Sequence, residues 1–155
     1  MVSAIDSQTG WRRLAAGVFL ATFGQLLVGT FASGLSQFSG KGFGARLVAY
    51  PALMLAVPAG WVLRRHLRGT ASPLPWNGIA LIMAPFLIDV TGNTLNLYDS
   101  VAWWDDANHF LNWFLLSAGI GILLRRAYSD TLGDEFLGVL GAGLAALVNT
   151  ARIRR

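Results

Sequence analysis

The sequence predicts an all-α fold, a polytopic bundle of four to five transmembrane helices that forms a single domain over residues 1–155. Of its residues 54% are hydrophobic and only 13% are charged, whereas a typical soluble domain has about 25% charged residues. The apolar residues form runs long enough to cross a bilayer, and Arg clusters separate the runs, as charged residues flank membrane spans. The lipid bilayer is therefore the expected partner. The net charge of +4 does not indicate nucleic-acid binding.

The first two helices are predicted over residues 12–32 and 46–64. The run from Leu14 to Phe31 would be about 27 Å long at about 1.5 Å per residue, close to the thickness of a bilayer core. A cleavable signal peptide has a shorter apolar centre, so we expect a retained helix, although small residues after the run leave cleavage open. Pro51 and Pro58 are tolerated in a span whose neighbours satisfy the freed carbonyl groups.

Three further helices are predicted over residues 76–97, 105–125 and 132–149. The apolar part of the third, Trp76 to Ile88, is too short to cross a bilayer, so this span must include Asp89. The fifth is rich in Gly and Ala and ends in Arg residues, which a full span would place on the side opposite the other Arg clusters. Whether the fifth helix crosses the membrane is therefore left open.

The distribution of positive charge predicts the topology. The clusters Arg12–Arg13, Arg64–Arg68 and Arg125–Arg126 fall on one side if the first four helices each span. The positive-inside rule makes that side the cytoplasm, so the N-terminus is expected there. The acidic turn between the third and fourth helices then faces outward. Lys41 and Arg46 are a weak signal for the opposite orientation.

The segment from Asp89 to Asn112 is the one chemically unusual part of the chain. An ionisable side chain within a span costs about 2.5–3.5 kcal/mol on insertion scales, so Asp89 and His109 need an explanation. Helical spacing of three and four residues places the polar side chains of this segment on one face of each helix. The stripe on the third helix is Asp89, Asn93 and Asn96, and the stripe on the fourth is Asp105, Asn108, His109 and Asn112.

These two stripes are expected to face each other in one polar pocket near the outer membrane surface. Asp89, Asp105 and His109 are the predicted ligands of a divalent metal, because carboxylate oxygens suit Mg, Ca or Mn and imidazole brings Zn or Fe within reach. The other predicted pocket residues are Asn93, Asn96, Tyr98, Asp99, Asp106, Asn108 and Asn112. No catalytic residue can be assigned from the pattern.

Each of these side chains also has a purely structural interpretation. Asp105 or Asp106 could cap the helix that follows. His109 could be a buried histidine that is hydrogen-bonded to Asp105 or Asp89 and binds no ligand. The side-chain amides of the third helix could join neighbouring helices by hydrogen bonds.

The same segment resembles the YjdF-like family of bacterial inner-membrane proteins. The resemblance is carried by Asp89, Gly92, the Leu97–Tyr98 pair, and a D-x3-H arrangement at Asp105 and His109. It implies a membrane bundle in a bacterial inner membrane and no particular reaction. Family members continue into a helix with a Trp-Glu pair, which residues 145–155 lack, so the resemblance implies a site without part of the family's pocket.

Three functions remain open from the sequence. The first is a membrane protein with a metal-dependent pocket that acts on a lipid or lipid-linked substrate. The second is a small transporter or transporter subunit in which Asp89 and His109 couple transport to a proton or cation. The third is a scaffold with a structural polar cluster, whose Gly-rich helices mediate homo- or hetero-oligomer contacts.

Overall fold

The computed structural model describes the backbone of residues 4–153 and the side chains of residues 8–129 and 139. The described backbone is helical and contains no strand, which confirms the all-α fold class. The helices are α1 (Ala4–Phe31), α2 (Phe43–Arg68), α3 (Trp76–Thr94), α4 (Leu97–Ser100) and α5 (Trp104–Ile153).

Three stretches of the described helices are long and apolar enough to cross a membrane: Gln8–Phe31, Phe43–Arg68 and Trp104–Ser129. Each exposes large hydrophobic side chains, such as Phe31, Val48 and Phe110. Transferring one such side chain from water to an apolar phase is worth about 1.5–3 kcal/mol, so these faces suit lipid rather than water. The chain is therefore a membrane protein with transmembrane helices.

Helix α3 differs from these three because its polar residues are turned into the bundle. Six residues of its first three turns are buried, and Val90, Gly92 and Asn93 near its end are buried as well. Helix α3 is not among the helices that are long and apolar enough to cross a membrane. Protein covers about half of the residues of the helix that carries Asp89.

The chain forms two compact units, Met1–Leu123 and Leu124–Arg155. Four helices and the beginning of α5 belong to the first unit, and the second consists of the rest of α5. The predicted fourth and fifth helices, residues 105–125 and 132–149, lie within this one helix. Residues 126–131, which separate the two predicted helices, contain neither Pro nor Gly, so nothing in the local sequence forces a break. The side chains of the predicted Gly-rich contact face in the last helix lie outside the described residues.

The ends of α2 and α3 are set by residues with a positive φ. Gly69 ends α2 with φ 63°, and the amide of Thr70 donates to the carbonyl oxygen of Arg65 at 3.1 Å in a Schellman-type turn. Asn96 follows α3 with φ 57°, a conformation that Asn tolerates better than most residues. Pro51 and Pro58 lie inside α2 without ending it.

Two core clusters define the helix directions in the first unit. In the first, Ala15 of α1 packs near Ile79 of α3 and Met54 of α2. In the second, Leu26 of α1 packs near Val90 of α3 and the beginning of α2. The order along the chain shows that α1 and α3 run in the same direction and that α2 runs against both.

Helices α3 and the first part of α5 approach each other closely at Gly78 and Gly119. A Cβ atom added to Gly119 would lie 3.0 Å from the carbonyl oxygen of Gly78 and 2.6 Å from Cγ1 of Ile82. Gly119 therefore lies at a close contact between the two helices. Gly121 faces open space, with no atom within 4 Å of an added Cβ.

Candidate functional site

A polar pocket of about 510 Å³ lies between α2, the second half of α3, α4 and the beginning of α5. Its apolar wall is formed by Pro85, Phe86 and Leu116. Its polar lining consists of Arg46, Tyr50, Asp89, Asn93, Tyr98, Asp105, Asn108, His109 and Asn112. The pocket thus joins hydrogen-bonding groups to apolar groups at one end of the bundle.

Asp89 accepts hydrogen bonds from four side chains. Its Oδ2 accepts from Tyr50 Oη at 2.6 Å and from Arg46 Nη1 at 3.1 Å. Its Oδ1 accepts from Tyr98 Oη at 2.9 Å and from Asn93 Nδ2 at 3.4 Å. An ionised carboxylate has about four acceptor positions. All of them are therefore used by the protein itself, and the Asp89 side chain is only 21% exposed.

The Arg46–Asp89 ion pair accounts for the intramembrane carboxylate. Arg46 and Tyr50 are one turn apart on α2, and the guanidinium carbon lies 5.9 Å from the centre of the Tyr50 ring. That ring also packs edge-on against Phe86 of α3. The cation and the hydroxyl are thus held toward α3, where both meet the same carboxylate oxygen.

The negative charge of Asp89 fixes the direction of a hydrogen-bond chain that leads toward α5. Because the carboxylate can only accept, the Tyr98 hydroxyl must donate to it. The Tyr98 oxygen then accepts from Asn108 Nδ2 at 2.5 Å, and Asn108 Oδ1 accepts from Asn112 Nδ2 at 3.1 Å. The chain ends at Asn112 Oδ1, a buried acceptor that has no hydrogen-bond partner among the residues the structure describes.

Tyr98 lies in the short helix α4, outside the candidate membrane spans. Burial raises the pKa of its hydroxyl group well above the ordinary value, and the negative charge and hydrogen bond of Asp89 raise it further. The hydroxyl is therefore a stable donor at neutral pH.

Asp105, His109 and Asn112 form the α5 wall of the pocket. His109 Nδ1 lies 2.9 Å from the backbone oxygen of Asp105. A carbonyl oxygen can only accept, so Nδ1 carries a proton, and Nε2 is an acceptor whenever the ring is neutral. The Asp105 and His109 side chains are 64% and 68% exposed. His109 is therefore hydrogen-bonded to Asp105, as one structural interpretation expects, but it is not buried.

Three of the predicted pocket residues do not line the pocket: Asn96, Asp99 and Asp106. Lys41 Nζ donates to Asn96 Oδ1 and to Asp99 Oδ2, each at 2.7 Å. This interaction ties the loop before α2 to α4 and uses the polar groups of both residues. Asp106 lies in the first turn of α5, where a carboxylate suits the positive end of the helix dipole.

The sequence did not indicate that Arg46 and Tyr50 belong to the site. They come from a helix far away along the chain, and no spacing rule connects them to Asp89. The sequence offered one signal for Arg46. It lies near the outward end of the second helix, at the depth in the membrane that is predicted for Asp89.

The divalent-metal hypothesis remains a prediction. Over the residues whose side chains are described, no three His, Cys, Asp or Glu side chains are close enough together to hold a metal ion. Asp89, one of the three predicted ligands, has its acceptor positions occupied by protein donors. Asp105 and His109 line the same pocket but come from a single helix.

Comparison with known proteins does not identify this chain. No protein-family model, no curated protein and no solved structure matches the chain. The resemblance of residues 89–112 to the YjdF-like family gains no support from these comparisons and remains an expectation from the motif. The chain is thus an all-α membrane protein with a polar pocket, and its function has to be argued from that pocket.

Proposed function

We propose that this protein binds the polar headgroup of an amphipathic molecule in the pocket beside Asp89. The supporting observation is the combination of a polar lining with an apolar wall made of Pro85, Phe86 and Leu116. Ligand pockets typically have a volume of about 300–1,000 Å³ and place a few polar groups among apolar ones. A headgroup would contact the polar groups while its hydrocarbon part lies against the apolar wall.

We further propose that the pocket faces the side of the membrane away from the cytoplasm. Along α2, Arg46 at the pocket is separated from Arg64 by 18 residues in the sequence, or about 27 Å of helix. Arg12 and Arg13 near the beginning of α1 lie at the same end of the bundle as Arg64, because α1 and α2 run in opposite directions. The positive-inside rule assigns that end to the cytoplasm. Localisation in a bacterial inner membrane rests on the motif resemblance alone.

Metal binding and proton-coupled transport have less support. A metal would have to displace protein donors from Asp89 or rely on Asp105 and His109 alone. For proton-coupled transport, the route from Asp89 to Asn112 passes through two side-chain amides. A neutral amide donates a hydrogen bond but does not titrate, so this chain holds groups in place rather than conducting protons.

Native mass spectrometry of the chain, purified in a mild non-ionic detergent and supplied with phospholipids, tests the proposal. We expect one bound lipid per chain, and we expect Leu116→Trp, which fills the apolar wall, to weaken its retention about tenfold. Phe110→Ala is the matched control, because Phe110 is exposed on the same helix and does not line the pocket. Equal retention by the wild type and both variants would show that the lipid binds elsewhere.

A further inference from the structure

We infer that the bound headgroup is a zwitterion whose primary ammonium group contacts the α5 wall and whose anionic group contacts Arg46. This inference rests on the proposed function and names the ligand class for the same pocket. Phosphoethanolamine, as in phosphatidylethanolamine, has this chemistry. Three features of the pocket favour such a ligand: its charge balance, the acceptors of α5 and the unused donors of Arg46.

One carboxylate of the pocket, that of Asp105, has no Lys or Arg counter-charge among the described side chains. Arg46 and Asp89 form an ion pair at 3.1 Å and neutralise each other. Asp105 is paired with no Lys or Arg among the described side chains; its near partner is His109, at 3.4 Å. The α5 wall therefore favours a cationic group.

The same wall presents two exposed acceptors that suit the N–H donors of a primary ammonium group. Asp105 and His109 are four residues apart, which places them one turn apart on the same face of α5. Their acceptors are the Asp105 carboxylate and Nε2 of a neutral His109 ring, and both side chains line the pocket and are more than half exposed. A primary ammonium has three N–H donors and no acceptor.

A quaternary ammonium fits this wall less well. It has no N–H group to donate to the Asp105 carboxylate or to His109 Nε2, and proteins usually bind it in a cage of aromatic rings. The polar residues that line the pocket from α5 are instead carboxylate, imidazole and amide groups. The wall thus distinguishes an ethanolamine headgroup from a choline headgroup.

Arg46 supplies the anion-binding side of the pocket. Its Nη1 donates to Asp89, and its remaining N–H groups have no hydrogen-bond partner among the described residues. The Arg46 side chain is 28% exposed and lines the pocket. A guanidinium presents its donors in a planar fork that suits phosphate or carboxylate oxygens. Asp89 holds this fork in place while leaving part of it available to a ligand.

Lipid selectivity tests the inference. Purified chain in non-ionic detergent is mixed with equal amounts of phosphatidylethanolamine, phosphatidylcholine and phosphatidylglycerol, and bound lipid is measured by native mass spectrometry. We expect about tenfold stronger retention of phosphatidylethanolamine than of either other lipid. Asp105→Asn should reduce that preference to less than about twofold. Asp106→Asn should keep it, because this neighbour makes the same charge change without lining the pocket.

The possible outcomes separate this inference from the proposed function. Equal retention of the three lipids, with loss of all three in Leu116→Trp, would overturn the zwitterion and leave headgroup binding intact. No retained lipid of any kind would overturn both. Soluble phosphoethanolamine is added in a further arm. If it displaces the bound lipid from the wild type and not from Asp105→Asn, the zwitterion is supported, and the headgroup alone is the recognised part.

Discussion

At Asp89 one carboxylate accepts hydrogen bonds from Arg46 and Tyr50 of α2, Asn93 of α3 and Tyr98 of α4. Hydrogen bonds to a charged group contribute about 1.5–3 kcal/mol each in favourable cases. The carboxylate thus connects three helices at one point. Asp89 therefore holds the helices around the pocket together whether or not a ligand is bound.

Replacing Asp89 with Asn should destabilise the fold by about 1–3 kcal/mol, because Arg46 would be left half-buried without its counter-charge. The range lies below the cost of breaking a fully buried pair, since both side chains remain partly exposed. The measurement is unfolding of the purified protein in detergent by a denaturing surfactant. Asp99→Asn removes an ion pair whose carboxylate is 60% exposed, and Lys41 keeps its hydrogen bond to Asn96, so the change should cost less than about 1 kcal/mol. Equal losses in the two variants would contradict this account of Asp89.

The raised pKa of Tyr98 predicts a loss of stability at alkaline pH. In the unfolded chain Tyr98 ionises near its ordinary value of 10.0, while the folded protein keeps it protonated to higher pH. The stability that Tyr98 contributes to the folded protein is therefore fully present below about pH 10 and is lost as the pH rises further. Tyr98→Phe should lose about 1 kcal/mol at neutral pH with its hydrogen bonds. It should also show a smaller further loss between about pH 9 and pH 11 than the wild type. Parallel pH profiles for the two proteins would rule out this linkage.

Residue spacing predicted part of the site and could not predict the rest. Asp89 and Asn93 are one helical turn apart and are hydrogen-bonded, and the α5 residues at the same spacing line one wall. These relations are local, so helix periodicity contains them. The pairing of Arg46 with Asp89 joins positions 43 residues apart. It depends on how α2 packs against α3, which no local pattern specifies.

At the scale of helices, α3 and α5 can cross closely because Gly78 and Gly119 have no side chains at the contact. Gly119→Ala should destabilise the protein by about 1–3 kcal/mol, because the new Cβ would meet Ile82 and the backbone of Gly78. Gly121→Ala on the same helix is the control. Open space surrounds that position, so the change should be neutral or stabilise the helix by up to about 1 kcal/mol. Surfactant unfolding measures both, and equal effects would show that the crossing does not depend on Gly119.

Helix α3 shows why hydropathy alone describes a membrane bundle incompletely. The run from Trp76 to Ile88 predicted a span that had to continue past Asp89, and the helix in fact continues to Thr94. Its polar residues Asp89 and Asn93 face protein, and the helix is not among the candidate membrane spans. The break after α3 was harder to foresee, because Asn96 rather than Gly adopts the positive φ that ends it.

For the whole molecule, apolar run length and low charge were sufficient to predict the fold class, because the bilayer constrains every span in the same way. If Lys41 and Arg46 are counted as isolated positive charges, they favour the orientation opposite to the predicted one. In the structure Lys41 is paired with Asp99 and Arg46 with Asp89. Each is paired locally, so these two charges carry little weight against the predicted orientation.

This orientation can be tested by labelling single cysteines, since the chain contains no Cys of its own. Ser100 is exposed in α4 at the pocket end of the bundle, and Ala71 is exposed in the loop between α2 and α3 at the other end. A membrane-impermeant maleimide should label Ser100→Cys on intact cells and label Ala71→Cys only after permeabilisation. The unmodified chain gives the background signal. The reverse pattern would place the pocket in the cytoplasm, and labelling of both variants on intact cells would show that the two ends are not separated by the membrane.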